Sequence, residues 1–492
     1  MNNKKQRVVI AGGGTAGWMA AAALTRLLHN RVDVTLVESS DIGTVGVGEA
    51  TIPTLVFFHQ LLKIDEKAFM AATNATFKLG INFENWRTTQ DSYLHAFGAT
   101  GQDCWAAGFQ HFWTRGRQLG LSGDFGQYCL ERVAAEAHKF AHLPKNGLNY
   151  AFHIDAGRYA GFLRQLAEEA GLKRIDARIE KVVTRPADGF ITQLQLDNGD
   201  RVDGDLFIDC TGFRGVLIEE TLHTGYTDWS HWLLCDSAVA VQAESHAPPL
   251  PYTRCIAHEE GWQWRIPLQN RTGNGLVFCS KYLSDDAATQ RLTGNIEGAA
   301  LNDPKVIKFR PGRRVKQWNR NCVSLGLASG FIEPLESTSI HLIQQGIVRL
   351  LRMFPHGEVQ QSVVDEFNRQ SVDEIEHIRD FIILHYHVTE RTDSAFWRHC
   401  KQMDVPDSLA RRLTIFRESG QIHRKNNELF DDSWQQVMIG QGLLPEAYHP
   451  IADMMSEQEL QNFLTHIKTN IDRTVAGLPT HRQYLNSLFN RA

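Results

Sequence analysis

The chain has 492 residues, 42% hydrophobic, 10% aromatic and 22% charged, which describes an ordinary globular protein and excludes a disordered or fibrous one. At ~100–200 residues per domain, this length holds two or three domains' worth of core. Lysine plus arginine number 51 against 56 acids, a net charge of −5, so no basic surplus is present to neutralise a nucleic-acid backbone.

Lys4, Lys5 and Arg7 precede the apolar run Val8–Leu24, which superficially matches a signal peptide. Four glycines and a threonine interrupt the run, and no clear cleavage site precedes Arg26, so export is not expected. No later stretch stays apolar for ~18 residues, so no transmembrane helix is expected either.

The β-branched run Arg7–Ala11 predicts a strand, and Gly12-Gly-Gly-Thr15-Ala16-Gly17 follows it directly. The Ala-rich segment Trp18–Leu28 then predicts a helix. Gly12, Gly14 and Gly17 thus satisfy G-x-G-x-x-G between a strand and a helix. The first glycine permits a tight turn, the second admits a pyrophosphate to the backbone, and the third lets helix and strand pack closely. The helix start offers free N–H groups to phosphate. A second strand, Val32–Val37, ends at Glu38, about 20 residues past the fingerprint, where a carboxylate meets a ribose hydroxyl.

Phe77–Phe83 alternates with period two, placing Phe77, Leu79, Ile81 and Phe83 on one face and Lys78, Gly80 and Asn82 on the other. Read alone, Lys78 is a solvated strand lysine. Asp205–Gly212 predicts a buried strand closing on Asp209, Thr211 and Gly212, the way two-part FAD-binding folds return beside the first nucleotide site; an unrelated strand and turn is the alternative. Gly273-Asn-Gly275 and Gly440-Gln-Gly442 lack a third glycine, so no second fingerprint for a pyridine nucleotide exists, and the electrons are expected from outside.

Gly261-Trp262-Gln-Trp264-Arg-Ile266-Pro267 puts two indoles on one face of an extended segment, a rigid wall or simply core packing. The strand Cys322–Leu327 leads to Phe331-Ile-Glu333-Pro-Leu-Glu336-Ser337-Thr338-Ser339-Ile-His341 and a helix from about Ile340 to Met353. The N–H groups at that helix start suit an anion, while the two acids also read as complements to the helix dipole. Further helical patterns cover Val363–Ile382 and Ser456–Ile467.

Other chemistries find little footing. The eight cysteines include no C-x-x-C pair, which argues against a zinc knuckle or disulfide scaffold and suits a reducing, cytoplasmic setting. His258-Glu-Glu-Gly-Trp lacks the second histidine of H-E-x-x-H, and His385-Tyr-His387 has no third ligand nearby, so no metal is expected. No G-x-S-x-G is present.

Together, the N-terminal G-x-G-x-x-G, Gly46-Val47-Gly48-Glu49-Ala50-Thr-Ile-Pro53, W-x-W-x-I-P and P-L-E-S-T resemble the flavin-dependent halogenases of the tryptophan halogenase family. The matching motifs run from residue 12 to about 350, and W-x-W-x-I-P discriminates best. The resemblance implies FAD as cofactor, supplied as FADH2 by a separate flavin reductase, with O2 and halide as co-substrates. The resulting hypohalous acid travels to a lysine beside a small aromatic substrate. That lysine corresponds to Lys78, in the matching F-K-x-G context, and Glu336 corresponds to the family's catalytic glutamate. By the same resemblance Ser337 orients that acid, Thr338 and Ser339 hold the halide, and the strap Val45–Thr51 covers FAD. Trp262, Trp264, Ile266 and Pro267 keep substrate from the flavin, and His95 and Phe97 resemble the pair that sandwiches an indole; an isolated H-x-F also reads as packing.

Two departures bear on specificity. Tryptophan-specific members typically read S-T-G-I-Y, where this chain has Ser337-Thr-Ser339-Ile-His341. Ser339 puts a side chain where glycine leaves room for halide, which argues against a chloride preference and for bromide. The residues that grip the amino-acid end of free tryptophan are not matched downstream, so indole or an indole derivative is the expected substrate.

The expected fold is α/β: a Rossmann-like, two-part flavin-monooxygenase-type module. It spans 1–350 with substrate-facing insertions about 51–150 and 216–315, followed by a mostly helical part over 351–492. The expected partners are the reductase and the aromatic substrate, without nucleic acid or membrane, and a homodimer is allowed. A flavin hydroxylase that ignores halide and a non-catalytic flavin-binding protein are the competing readings.

Overall fold

The strand Gln6–Ala11 lies inside a six-stranded sheet ordered Trp318–Asn319, Cys322–Ser324, Leu206–Asp209, Gln6–Ala11, Val32–Glu38, Lys173–Asp176. Every neighbouring pair is parallel except the antiparallel edge strand Trp318–Asn319. Val8, Val9, Ile10 and Ala11 are all buried, as continuous apolar runs are in a parallel sheet covered on both faces. The helix Thr15–Leu28 begins three residues ahead of the expected Trp18, because the sharp turn at Gly12, at φ 104°, already reverses the chain. Its alanines Ala20–Ala23 are buried, and the helix packs on Ala156–Glu169 and Ser339–Arg352.

The computed structural model describes residues 5–41, 48–143, 147–422 and 429–489. The chain divides into two units, the first Met1–Ala75, Ile154–His231 and Lys308–Glu376, the second Thr76–His153, Trp232–Ile307 and His377–Ala492. The parallel sheet belongs to the first unit. So do two small antiparallel sheets: Ile179–Thr184, Ile191–Leu196 and Arg201–Asp203; and Tyr226–Asp228, Gly312–Arg314 and Gly330–Phe331.

The second unit is organised by a seven-stranded sheet ordered Lys305–Lys308, Ser237–Ala243, Thr272–Phe278, Gly261–Pro267, Thr253–Ala257, Gly80–Glu84, Ser92–Ala96. The alternation at Phe77–Phe83 predicts one strand, but the chain forms two, Thr76–Lys78 and Gly80–Glu84. The break falls at Leu79, whose N–H donates to Pro251 and whose carbonyl accepts from Phe97. The backbone there leaves its antiparallel pairing with Ala151–His153 and enters the larger sheet. Phe77, Lys78 and Leu79 all have 0% exposure, so both faces are covered and Lys78 is not solvated.

The C-terminal residues are helical as expected. The helix over Val363–Ile382 extends to Gln361–His387, and that at Ser456–Ile467 runs Glu457–Ala476. The latter opens on a capping box of Ser456 and Glu459, and the last helix, His481–Leu488, opens on one of Thr480 and Gln483; each satisfies two backbone donors reciprocally. No helix among the described residues is long and apolar enough to cross a membrane.

His481 ties this last helix to the strand of Lys78, its Nε2 accepting from the Phe77 N–H at 3.2 Å. Burial pushes its imidazole down to about 4, against an ordinary 6.5. The unfolded chain therefore binds a proton that the folded one refuses. His481 contributes stability above pH 6.5 that is lost as pH falls towards about 4. Equilibrium unfolding should show about 2 kcal/mol less stability at pH 5 than at pH 7 from this residue alone. His481→Gln, which has no titrating ring, should flatten the pH slope by that amount.

Candidate active site

In the first unit, the glycine fingerprint is shaped by close approach. A Cβ at Gly12 would lie 2.3 Å from the Cys210 carbonyl oxygen, and one at Gly17 would lie 1.9 Å from the Gly12 carbonyl oxygen. Gly13 lies beneath the Glu38 side chain rather than against backbone. Gly14 and Gly212 differ: a Cβ at either would meet nothing within 4 Å. Gly14 precedes a helix start that has no side-chain cap and no acid in its first turn, which leaves its N–H groups and positive dipole end to an anion. Thr15 and Ala16 lie in that turn. These residues fit the pyrophosphate of FAD, with open backbone where phosphates approach and tight packing where they do not.

Glu38 stands at the end of its strand, where a ribose acceptor is expected, and Arg174 Nε donates to its Oε1 at 2.6 Å. Asp209 is fully buried, and its carboxylate accepts from the Thr211 N–H and hydroxyl and from the Leu217 and Ile218 N–H groups. Burial still raises the Asp209 carboxyl above its ordinary value, against those hydrogen bonds. Its oxygens are thus used in ordering the turn at Thr211–Gly212 rather than offered outward. Of the strap, Val47 lies outside the described residues, while Gly48, Glu49 and Ala50 form a short strand. Glu49 is half-buried, and desolvation pushes its carboxyl up to about 7.

Glu336 closes a single 3-10 turn, Pro334–Glu336, and has no exposed surface. Ser337 follows in the left-handed region at φ 59°, which turns the chain into the helix Ser339–Arg352. That helix also starts without a side-chain cap or an acid in its first turn. The buried Thr338 Oγ1 meets no hydrogen-bond partner there. Ser339 is half-buried at the first helical position.

In the second unit, the Lys78 Nζ lies 5.0 Å from the centroid of the Phe97 ring. Gly80 in the F-K-x-G context is required by sheet geometry, since a Cβ there would lie 2.4 Å from the His95 carbonyl oxygen. His95, opposite Ile81, is buried with its ring 5.8 Å from that of Phe381 and 6.5 Å from that of Phe430. Trp262 and Trp264 stand on the strand Gly261–Pro267 with ring centroids 6.0 Å apart and 56° between planes. Trp264 lies across Gly275 of the neighbouring strand, where a Cβ would strike the indole at 2.0 Å. Ile266 is buried on the same strand. The Pro267 carbonyl at its end accepts from Thr76 Oγ1 at 2.7 Å, which joins the tryptophan strand to the strand of Lys78.

Several residues without a motif also shape these sites. On the lysine strand, Thr76 meets His153, which in turn meets Thr253, and Phe77 meets His481. His341 Nδ1 lies 2.9 Å from Thr54 Oγ1, just past the strap, and its Nε2 3.2 Å from Glu374. Burial would raise the Glu374 carboxyl, but His341 and Arg349 hold it below its ordinary value. The only sequence signal among these was His341, as a departure from tyrosine. Among the described residues no group of three or more His, Cys, Asp or Glu is placed to hold a metal ion.

A tryptophan halogenase sequence profile matches residues 7–457. This chain belongs to the tryptophan halogenase family. A flavin-dependent halogenase from Xanthomonas campestris is 56% identical and superposes with a TM-score of 0.97, over 98% of both chains. Another from Brevundimonas sp. BAL3 is 45% identical with a TM-score of 0.94, over 99% of this chain and 100% of its own. A tryptophan 6-halogenase from Streptomyces albogriseolus is 34% identical over 99% of both chains. The family's α/β fold with its helical C-terminal part is the one described above, and its members are flavin-dependent oxidoreductases.

The two kinds of glycine in this family's fingerprint should separate on substitution. Gly14→Ala should leave thermal stability within about 1 kcal/mol while weakening FAD binding measured by flavin fluorescence. Gly17→Ala should lower the unfolding midpoint itself, because its Cβ meets backbone at 1.9 Å.

Proposed function

We propose that this enzyme halogenates an electron-rich aromatic, indole or an indole derivative, by holding hypohalous acid at Lys78. The observation that carries this reading is a lysine side chain with 0% exposure, its Nζ 5.0 Å from the centroid of the Phe97 ring. A lysine buried this way, in a family of flavin-dependent halogenases, is an expensive arrangement for a merely structural side chain.

Bound as FADH2 from a separate reductase, the flavin would supply the two electrons that activate O2, and O2 would be the oxidant that turns halide into hypohalous acid. The fingerprint loop Gly12–Gly17 binds the pyrophosphate, Glu38 the ribose, and the backbone at Gly212 with the strap at Gly48–Ala50 borders the flavin. Asp209 orders the Gly212 turn. Thr338 and Ser339 hold the halide, supported by an uncapped helix start and the unpartnered, buried Thr338 Oγ1. Lys78 holds the hypohalous acid by hydrogen bond or as a haloamine. Glu336, oriented by Ser337, stabilises the cationic ring intermediate or takes its proton. Trp262, Trp264, Ile266 and Pro267 separate substrate from flavin, and His95 and Phe97 border the aromatic. The flavin and halogenation residues all lie within 1–350, with the helices of 351–492 as support, in a cytoplasmic setting.

Indole incubated with the protein, FAD, a flavin reductase, NADH, O2 and either bromide or chloride should yield a halogen isotope pattern by mass spectrometry, with catalase present to exclude peroxide chemistry. Lys78→Ala should abolish that product while keeping FAD binding, and Glu336→Gln should slow it by about 10²–10⁴-fold. An oxygenated product without halogen would establish a hydroxylase instead. No product across a broad aromatic panel would favour a non-catalytic flavin protein. Ser339→Gly should raise chloride use relative to bromide in the same assay.

A further inference from the structure

Two buried histidines grip the strand that ends in Lys78, and their protonation follows from hydrogen-bond arithmetic. Thr76 Oγ1 has one proton and lies 2.7 Å from the Pro267 carbonyl oxygen, which only accepts. The contact at 2.9 Å between Thr76 Oγ1 and His153 Nδ1 must therefore be donated by the imidazole. Burial keeps the ring neutral, so His153 Nε2, 3.0 Å from Thr253 Oγ1, accepts from that hydroxyl. His481 repeats the pattern. Its Nδ1 donates to the Pro249 carbonyl at 2.9 Å, and its Nε2 accepts from the Phe77 N–H at 3.2 Å. A proton on Nε2 of His481 would face a backbone N–H that cannot turn round to accept it.

We propose that His153 and His481 are positioning residues for Lys78: two neutral imidazoles, each an Nδ1–H tautomer, pin Thr76 and Phe77 and so fix the strand that ends in the lysine ammonium without adding a second positive charge beside it. Both rings are buried. Burial, then the charge of Lys78, then His481 drive the His153 imidazole well below its ordinary value. Around His481, burial and His138 act in the same direction, against the hydrogen bond to Pro249. The strand is only three residues long, Thr76–Lys78, so two of its residues are held by imidazoles and the third carries the ammonium. A protonated histidine at either place would release its acceptor contact and repel Lys78.

The proposal rests on the reading of Lys78 as the residue that holds the halogenating species, and the test separates the two. Full-length protein labelled with 15N at histidine is compared with His153→Gln and His481→Gln to assign the two rings. Both are expected as Nδ1–H imidazoles that do not titrate between about pH 5 and 8, where an ordinary histidine does. An Nε2–H pattern, or titration in that window, overturns the proposal.

Halogenated indole formed per FADH2 oxidised is then measured with FAD affinity and KM for indole. His153→Phe removes both hydrogen bonds and should lower that yield about 10- to 100-fold, the scale of a misplaced reacting group, at unchanged FAD affinity. His153→Gln donates to Thr76 and accepts from Thr253, so it should restore the yield. A folded His153→Phe with wild-type yield, or a folded His153→Gln as poor as the Phe variant, overturns the proposal. Should His153→Phe fail to fold, the imidazole spectra and the Gln variant decide. Wild-type protein that halogenates no aromatic defeats the reading of Lys78, and the spectra still report the tautomers independently.

Discussion

The constraint on which the second unit turns is the burial of one ammonium group. Lys78 has no exposed surface, and an ion withdrawn from water costs several kcal/mol unless its surroundings compensate. The neighbourhood is built accordingly. The Phe97 ring offers its negative face at 5.0 Å, an attraction of about 0.5–2 kcal/mol. The two histidines hydrogen-bonded to the strand are satisfied in their neutral forms, so neither sets a like charge beside the lysine. The change of ladder at Leu79 puts Lys78 at the last residue of a short strand, between its pairing with Ala151 and the entry of the chain into the larger sheet.

The first unit obeys a different constraint, the approach of backbone to backbone. The strand Gln6–Ala11 is paired on both edges, and the loop after it must pass under the Cys210 carbonyl. Only glycine fits at 12 and 17, since any Cβ would enter an occupied position. Asp209 reinforces the approach from the other side by collecting four donors from 211–218. What this packing leaves open is as informative as what it closes. Two helices, Thr15–Leu28 and Ser339–Arg352, begin with neither a capping side chain nor an acid. Both starts are electrostatically suited to anions, which matches the pyrophosphate and halide assigned to them in the proposed function.

Much of this was legible from local pattern. The fingerprint, the strand ending in Glu38, the returning strand at Leu206–Asp209 and the helix after Ser339 each carry their signal within a few residues, because turn geometry and strand alternation are short-range. The tryptophan pair was equally plain in its spacing. Lys78 was not: alternation assigns it to a polar face, and nothing nearby in the chain says that this face is covered. The returning strand marks Asp209 in the sequence, but only the fold shows its carboxylate accepting from the Thr211 hydroxyl and from three backbone N–H groups of 211–218. His153 and His481 lie 75 and 403 residues beyond Lys78 in the chain, and no spacing rule joins groups so far apart.

The sequence by itself determined the family and the parallel flavin-type sheet, since both rest on glycines, alternation and contiguous motifs. Only the tertiary structure decided the environment that the motif residues meet: that Lys78 is buried, that its strand breaks at Leu79, and which groups each neighbouring histidine contacts. Burial and protonation depend on what the rest of the chain brings alongside, and hydrogen-bond direction depends on which partner has a proton to spare. Those are properties of the folded neighbourhood, which no local window of sequence contains.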